Sequence, residues 1–173
     1  MAFTLPSDLA TNWADNVGMI ENAAYLNAVG DMNNKIKAAL VGTVNGAAQA
    51  LVSTSETTTS GTYADLTTTT DTVTVTISAS GMALVAIYSA MSCGGYSQYA
   101  SYAISGATTR AADDAHALVF TNQYQAAPAA YGAVFLETGL TAGSTTFKMK
   151  YKSSNAGTTQ TYSNRRIAVI PFF

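Results

Sequence analysis

The sequence predicts a mainly β protein: an antiparallel β-sandwich or jelly-roll domain preceded by an N-terminal helical segment. Two observations carry this prediction. Up to about residue 45 apolar residues recur at helical spacing, and from Ala48 onward they alternate with polar residues at period two. About eight short strand patterns follow, with turn residues between them and no intervening helix, as in sandwiches and jelly rolls. We therefore divide the chain into a helical segment, 1–47, and a β-sandwich domain, 48–173.

The helical segment contains two apolar patterns. Ser7 or Asp8 is the predicted cap of a first helix, which places four residues on one face: Trp13, Val17, Ile20 and Ala24. The second pattern has the 4, 3, 4, 3, 4 steps of a coiled-coil seam: Asn22, Leu26, Val29, Asn33, Ile36 and Leu40. An asparagine in such a seam fixes register and partner number. Two interpretations stay open, which are self-association through the seam and packing of an amphipathic helix on its own domain.

A threonine-rich stretch opens the β domain, with 12 threonines between positions 54 and 76. Its composition resembles that of a disordered stalk. However, Val73, Val75 and Ile77 alternate with threonines, which predicts a strand with one buried face. The remaining strand patterns cover 82–91, 97–105, 115–121, 131–138, 144–152 and 165–171.

Three of these patterns predict where side chains point. Residues 82–91 are apolar on both faces, as in a covered central strand. In the run 147–152, Phe147, Met149 and Tyr151 are predicted to face inward and the three lysines outward. The last strand runs to the end of the sequence, where a fraying tail would rarely carry two phenylalanines. We assign Ile167 and Val169 to the core, and Phe172 and Phe173 to a subunit interface.

Composition excludes several classes of function. Only 10% of the residues are charged, and the net charge is −2, which argues against a nucleic-acid-binding protein. No apolar run reaches the length of a membrane span, and the first residues lack a signal-peptide pattern. The surface is therefore expected to consist largely of Thr, Ser, Asn, Gly and Ala. Such a surface suits a protein covered by neighbouring subunits in an assembly made in the cytoplasm.

Candidates for catalysis are few, and each has a structural interpretation. His116 lies in a strand-like run, Cys93 is the sole cysteine, and Asp113 and Asp114 are expected to be solvated or to cap a turn. No catalytic, nucleotide-binding or metal-binding motif is present. We expect neither an enzyme, nor a cofactor, nor a bound metal.

Charge and tyrosine placement suggest contact surfaces. Residues 1–72 carry seven acids and two bases, whereas residues 140–173 carry five bases and no acids. The basic end either pairs with an acidic neighbour, or its lysines protect an exposed strand edge. Tyr96, Tyr99 and Tyr102 cluster in one run and are candidate ligand contacts. Packing within a strand or a subunit interface is the alternative.

The chain resembles the small virion proteins of tailed phages that infect actinobacteria. The resemblance lies in the helical run 12–40, in the threonine-rich entry to the β domain, and in the segments 138–154 and 164–171. The matching positions are Trp13, Leu26, Asn27, Asp31, Ser55, Glu56, Thr57, Thr58, Thr59, Tyr63 and Leu66. The resemblance implies an N-terminal segment docked on the particle and an exposed β domain, usually in a homotrimer.

Three functions follow from this resemblance and the patterns above. The first is a virion protein that decorates the capsid or forms a short head fibre, docked on the major capsid protein through segment 1–47. Its candidate docking and oligomerisation residues are Trp13, the seam residues, Phe172 and Phe173. The second is a minor tail or tail-fibre protein, docked on a tail protein and contacting the host surface. The third is a monomeric carbohydrate-binding module that uses the tyrosines. A host-surface glycan is a candidate partner, whereas nucleic acid and membrane insertion are not expected.

Overall fold

The computed structural model describes residues 23–121 and 124–173. These residues fall into two compact units, a helical unit that ends at Asn45 and includes Phe173, and a β unit, Gly46–Phe172. The predicted first helix, with Trp13 and its cap, lies outside the described residues. The docking and oligomerisation role assigned to segment 1–47 stays a prediction.

The helical unit contains one helix among the described residues. α1 spans Ala23–Gly46, 24 residues, and it includes the seam from Leu26 to Leu40. Five of its 24 residues are alanine, the strongest helix former. Gly42, Asn45 and Gly46 are the residues that predict the end of the helix. The helix continues through Gly42 and ends at Gly46.

The described part of the β unit contains nine strands and one short 3-10 helix. In chain order the strands are β1 (Ala48–Val52), β2 (Glu56–Thr58), β3 (Thr72–Ile77), β4 (Ala83–Gly94), β5 (Gln98–Gly106), β6 (Leu118–Phe120), β7 (Tyr124–Glu137), β8 (Gly143–Ser153) and β9 (Gln160–Pro171). The 3-10 helix, Asp114–His116, precedes β6.

The strands form two antiparallel sheets. Sheet A has the order β1-β9-β4-β7, with β2 also paired to β9, and sheet B has the order β3-β8-β5-β6. β1 and β2 pair with successive parts of β9 and act as one first strand. The strands pair from the two ends of the β unit inward. The composite strand β1/β2 pairs with β9, β3 with β8, β4 with β7, and β5 with β6. This is the pairing of a long hairpin folded over into a jelly roll, so the predicted fold class is confirmed.

The core lies between the two sheets and follows the predicted alternation. Val73, Val75 and Ile77 are buried on β3, and they oppose the inner face of β8, which buries Phe147, Met149 and Tyr151. Ile167 and Val169 are fully buried on β9. Each of these predicted inward positions is confirmed. On β3 and β8 the opposite face is polar, and that contrast identifies the apolar face as the buried one.

Three strand predictions need correction. β7 begins at Tyr124, earlier than the predicted 131–138, although its first half contains Pro128. β7 is an edge strand of sheet A, and an edge strand tolerates proline because one of its sides needs no ladder hydrogen bonds. β9 likewise begins at Gln160 rather than 165. The predicted strand 115–121 opens instead as the 3-10 helix, with its N-cap side chain, Asp113, accepting a hydrogen bond from the backbone N–H of His116.

Candidate functional site

The coiled-coil seam of α1 is uncovered along its second half. Leu26 and Val29 are half-buried, whereas Asn33 is exposed. Ile36 and Leu40 expose 59% and 48% of their surface. Large aliphatic side chains at this exposure lose the free energy that burial would provide. The seam is therefore available for contact with another helix.

The C-terminal phenylalanines have different environments. The backbone of Phe172 is tied to the β unit, since its carbonyl oxygen accepts hydrogen bonds from the hydroxyls of Ser78 and Ser80. The ring of Phe173 packs over Gly42, where a Cβ atom would lie 2.6 Å from the ring. Phe173 keeps 44% of its surface exposed. Its placement at a subunit interface stays a prediction, and part of the ring already contacts its own chain.

The outer face of sheet A carries a continuous apolar surface, which we call the apolar face. The ladder registers align its residues in three rows across the strands. The rows are Leu136, Leu84 and Ile170; Val134, Ala86, Ala168 and Gln49; and Gly132, Tyr88, Arg166 and Leu51. The charged member of this grid, Arg166, lies in the row at one end.

The apolar face is well exposed. Val134, Leu136 and Leu51 expose 62%, 59% and 54% of their surface, and Tyr88 and Ile170 each expose 37%. Exposed apolar patches of this kind mark interaction sites. The sequence contained a signal for this surface, because the runs 82–91, 131–138 and 165–171 have apolar residues on both faces. For 82–91 the pattern predicts a strand covered on both faces, whereas the structure leaves its outer face exposed at Tyr88.

The outer face of sheet B is polar and charged. Lys148 and Lys150 on β8 lie 3.0 and 2.9 Å from the carboxylate of Asp65, and Lys152 lies 2.6 Å from Asp114. β8 lies between β3 and β5, so the interpretation that these lysines protect an exposed edge is wrong. The alternative, pairing with an acidic neighbour, stays a prediction, and the lysines already pair with aspartates of their own chain.

The predicted tyrosine contacts separate in the structure. Tyr96 is 45% exposed. Tyr99 lies beneath Lys152, whose ammonium is 4.5 Å from the centre of its ring. Tyr102 is completely buried because β5 turns it toward the core, so it cannot contact a ligand and this part of the prediction is corrected. Tyr63 is a candidate contact residue that the sequence pattern did not indicate. The ammonium of Lys152 lies 4.6 Å from the centre of its ring, and Tyr63 lines a surface depression of about 580 Å³.

Tyr102 belongs to a network that joins the two sheets. Its hydroxyl donates a hydrogen bond to Glu137 on β7. Burial is the main cause that raises the pKa of Tyr102, and the hydrogen bond to Glu137 is the second. Arg110 donates to both carboxylate oxygens of Glu137, at 2.8 and 2.7 Å. His116 lies beside it, with Nε2 3.1 Å from Arg110 and Nδ1 2.7 Å from Asp113. These groups hold the segment between β5 and β6 against the end of β7.

A second network surrounds Arg165, which is fully buried on β9. Its guanidinium lies 2.8 Å from Glu56 and 3.3 Å from Asp71. The Tyr151 hydroxyl donates to Asp71 at 2.5 Å. Burial raises the pKa of Asp71 despite this hydrogen bond and the nearby cation. Burial opposes ionisation of Glu56 too, but hydrogen bonds from Thr68 and the charge of Arg165 lower its pKa overall.

Both networks connect strands and neutralise buried charge. Among the described residues no group of three or more His, Cys, Asp or Glu side chains is placed to hold a metal ion. In the same part of the chain no helix is both long and apolar enough to cross a membrane. The surfaces that stand out chemically are therefore the seam, the apolar face and the charged face of sheet B.

Comparison with known proteins finds similarity of structure and not of sequence. No family model and no curated protein matches the chain. Among solved structures, a carbohydrate-binding module in complex with β-1,4-galactotriose is 10% identical, with a TM-score of 0.34; 70% of this chain and 68% of the module are covered. An isomalto-dextranase of Arthrobacter globiformis is 13% identical, with a TM-score of 0.39 over 71% of this chain and 23% of the enzyme.

The coat protein of Tobacco streak virus is another structure similar to this chain. It is 10% identical, with a TM-score of 0.28, and the match covers 74% of this chain and 88% of the coat protein. The chain spans less than a quarter of the length of the dextranase. These similarities are too low to identify a function.

Proposed function

We propose that the chain is a non-enzymatic structural protein of a tailed-phage particle. In this proposal it forms a homotrimer that docks on the capsid through segment 1–47 and decorates the surface or forms a short head fibre. The jelly-roll domain is exposed, and the major capsid protein is the docking partner. The protein is made in the host cytoplasm and resides in the virion.

The observation that carries the proposal is the uncovered seam of α1. Its a positions are Leu26, Asn33 and Leu40, and its d positions are Asn22, Val29 and Ile36. Leucine at a with β-branched residues at d favours three or four strands over two. Full burial of one such side chain is worth about 1.5–3 kcal/mol, so bringing copies together along the seam stabilises them.

The placement in a virion is supported by the sequence. The resemblance to actinobacterial phage proteins covers both the helical run and the entry to the β domain. The low content of charged residues, 10%, suits a surface that neighbouring subunits cover. Both properties also fit a minor tail protein, so location on the particle is the quantity to measure.

A host-contact function has one feature in its favour. The depression on the outer face of sheet B is lined by Thr62, Tyr63, Lys150 and Lys152 among others. Aromatic rings beside hydroxyl and charged groups are the side chains that bind sugars. A tail-fibre role would use this face against a host-surface glycan.

The experiment is immunogold electron microscopy on purified particles of the phage that encodes the chain, with an antibody against the folded protein. We expect gold over the capsid. Gold confined to the tail would contradict capsid decoration and move the function to host contact. Particles without gold, alongside a labelled capsid-protein control, would contradict the virion proposal altogether.

A further inference from the structure

We propose that the apolar face of sheet A is a second self-association surface, where the β domain of one copy packs against that of the next. The inference rests on the proposed function, because it takes the occupant to be another copy of this chain in the same oligomer. It adds a contact between β domains to the helical contact along the seam.

The size of the face fits a contact that accompanies another. Four strands about 4.8 Å apart and three rows about 6.8 Å apart cover roughly 400 Å² in projection. An apolar patch of about 300–600 Å² is the largest that a typical monomer exposes, and it is often functional. A standard interface takes about 800 Å² per partner. The apolar face alone therefore supplies about half an interface, and the seam brings the copies together.

The apolar face has a raised part and a shallow part, which could fit together between two copies. Val134 and Leu136 project from edge strand β7 and are the most exposed large apolar residues of the grid. Ala86 and Ala168 lie side by side on β4 and β9 and leave a shallow strip. A ring of three copies joins two different patches of each copy. The β7 ridge of one copy then packs over the alanine strip of the next.

The edge of β7 gives a second reason for a partner on this side. β7 is 14 residues long, and it pairs with β4 while its other edge is unpaired among the described strands. Native proteins cover or interrupt a long edge strand because it would otherwise pair with other chains. A neighbouring copy seated on the ridge shields this edge as well.

Charge favours a second copy over a polar ligand. The grid carries one charged residue, Arg166, whereas the outer face of sheet B carries Lys148, Lys150 and Lys152 with their aspartate partners. Glycans and nucleic acids are bound by polar and charged groups, which the apolar face lacks over most of its area. An apolar surface of the same chain is a matching occupant.

The test compares two exposed valines, on the outer faces of sheets A and B, in the whole 173-residue chain by sedimentation equilibrium. Val134→Asp places a carboxylate on the apolar face, and Val119→Asp places one on β6, where Val119 is 37% exposed. We expect V134D to raise the dissociation constant of the oligomer by about tenfold or more. V119D should leave the constant unchanged, because the outer face of sheet B stays in solvent.

A second measurement does not depend on tolerance of a buried charge. In a Cys93→Ser background, the thiols of Val134→Cys and Val119→Cys are labelled with a polyethylene glycol maleimide at oligomeric concentration. We expect V134C to react about tenfold more slowly than V119C, and at the same rate once the oligomer is diluted apart. Circular dichroism verifies that each variant is folded.

The outcomes separate this inference from the proposed function. Equal behaviour of V134D and V119D, or equal labelling rates, overturns the inference. A protected V134C in a protein whose mass V134D does not change means that another occupant covers the face, which also overturns it. The seam is tested separately by the double variant Leu26→Asp and Ile36→Asp. An unchanged mass there contradicts the proposed function and leaves the valine comparison valid.

Discussion

Arg165 is a buried cation whose stability in the core depends on its carboxylate partners. It is fully buried, and its cation faces the carboxylates of Glu56 and Asp71. A buried pair contributes little net stability relative to apolar residues, but removal of one partner leaves an uncompensated charge in the core. The position is therefore sensitive to a substitution that keeps the volume and removes the charge.

We predict that Arg165→Met lowers the free energy of unfolding by about 3–5 kcal/mol at pH 7. The triple variant with Glu56→Gln and Asp71→Asn should recover most of this loss, because no buried charge remains. Urea denaturation at one protein concentration measures both, since association adds to apparent stability. A loss below about 1 kcal/mol in R165M would show that water reaches the two carboxylates.

The loss of stability caused by R165M, relative to the wild type, is also predicted to depend on pH. In the wild type the pKa of Glu56 lies below its ordinary 4.5, so its contribution is present above that pH and is lost as the pH falls through the lowered value. In R165M both carboxylates prefer the protonated form, and the penalty of the substitution shrinks in acid. A penalty independent of pH between 3 and 7 would contradict this electrostatic account.

At the scale of elements, a strand could be predicted from the sequence when one of its faces is polar and the other apolar. β3 and β8 have threonine or lysine on one face and apolar residues on the other, so the sequence predicted both their extent and their buried side. The first half of β7 contains alanines and Pro128, without β-branched residues, and its strand conformation comes from pairing with β4. That pairing is long-range, and no local pattern reports it.

The candidate surfaces divide in the same way. The seam of α1 is a local repeat, and the sequence gives its residues directly. The apolar face combines four strands that are distant in sequence, and its outward side is defined by the sheet order. Tyr102 was misassigned for a related reason, because its run of tyrosines lies along a strand whose alternate residues face opposite sides.

Asn33 provides the prediction at the element scale. A polar residue at an a position specifies partner number at a cost in stability. We predict that Asn33→Ile raises the melting temperature and broadens the distribution of oligomer masses in sedimentation velocity. Asn34→Ile, one residue outside the seam, should keep the wild-type mass. A single unchanged mass for N33I would show that the asparagine does not face a partner helix.

At the scale of the whole molecule, the described residues separate apolar and charged surfaces. The outer face of sheet A is apolar, the outer face of sheet B holds paired lysines and aspartates, and the seam of α1 exposes aliphatic side chains. A monomer with these surfaces would expose two apolar regions to water. Association of copies that covers both apolar regions, and leaves the charged face in water, removes this exposure.

The central claim is self-association of the intact chain, and its molar mass in solution tests this most directly. Size-exclusion chromatography with multi-angle light scattering, over a hundredfold range of loading concentration, gives that mass without labels or substitutions. We predict three times the chain mass of 17.9 kDa. The mass of a single chain at every concentration would contradict the account and favour a monomeric binding module.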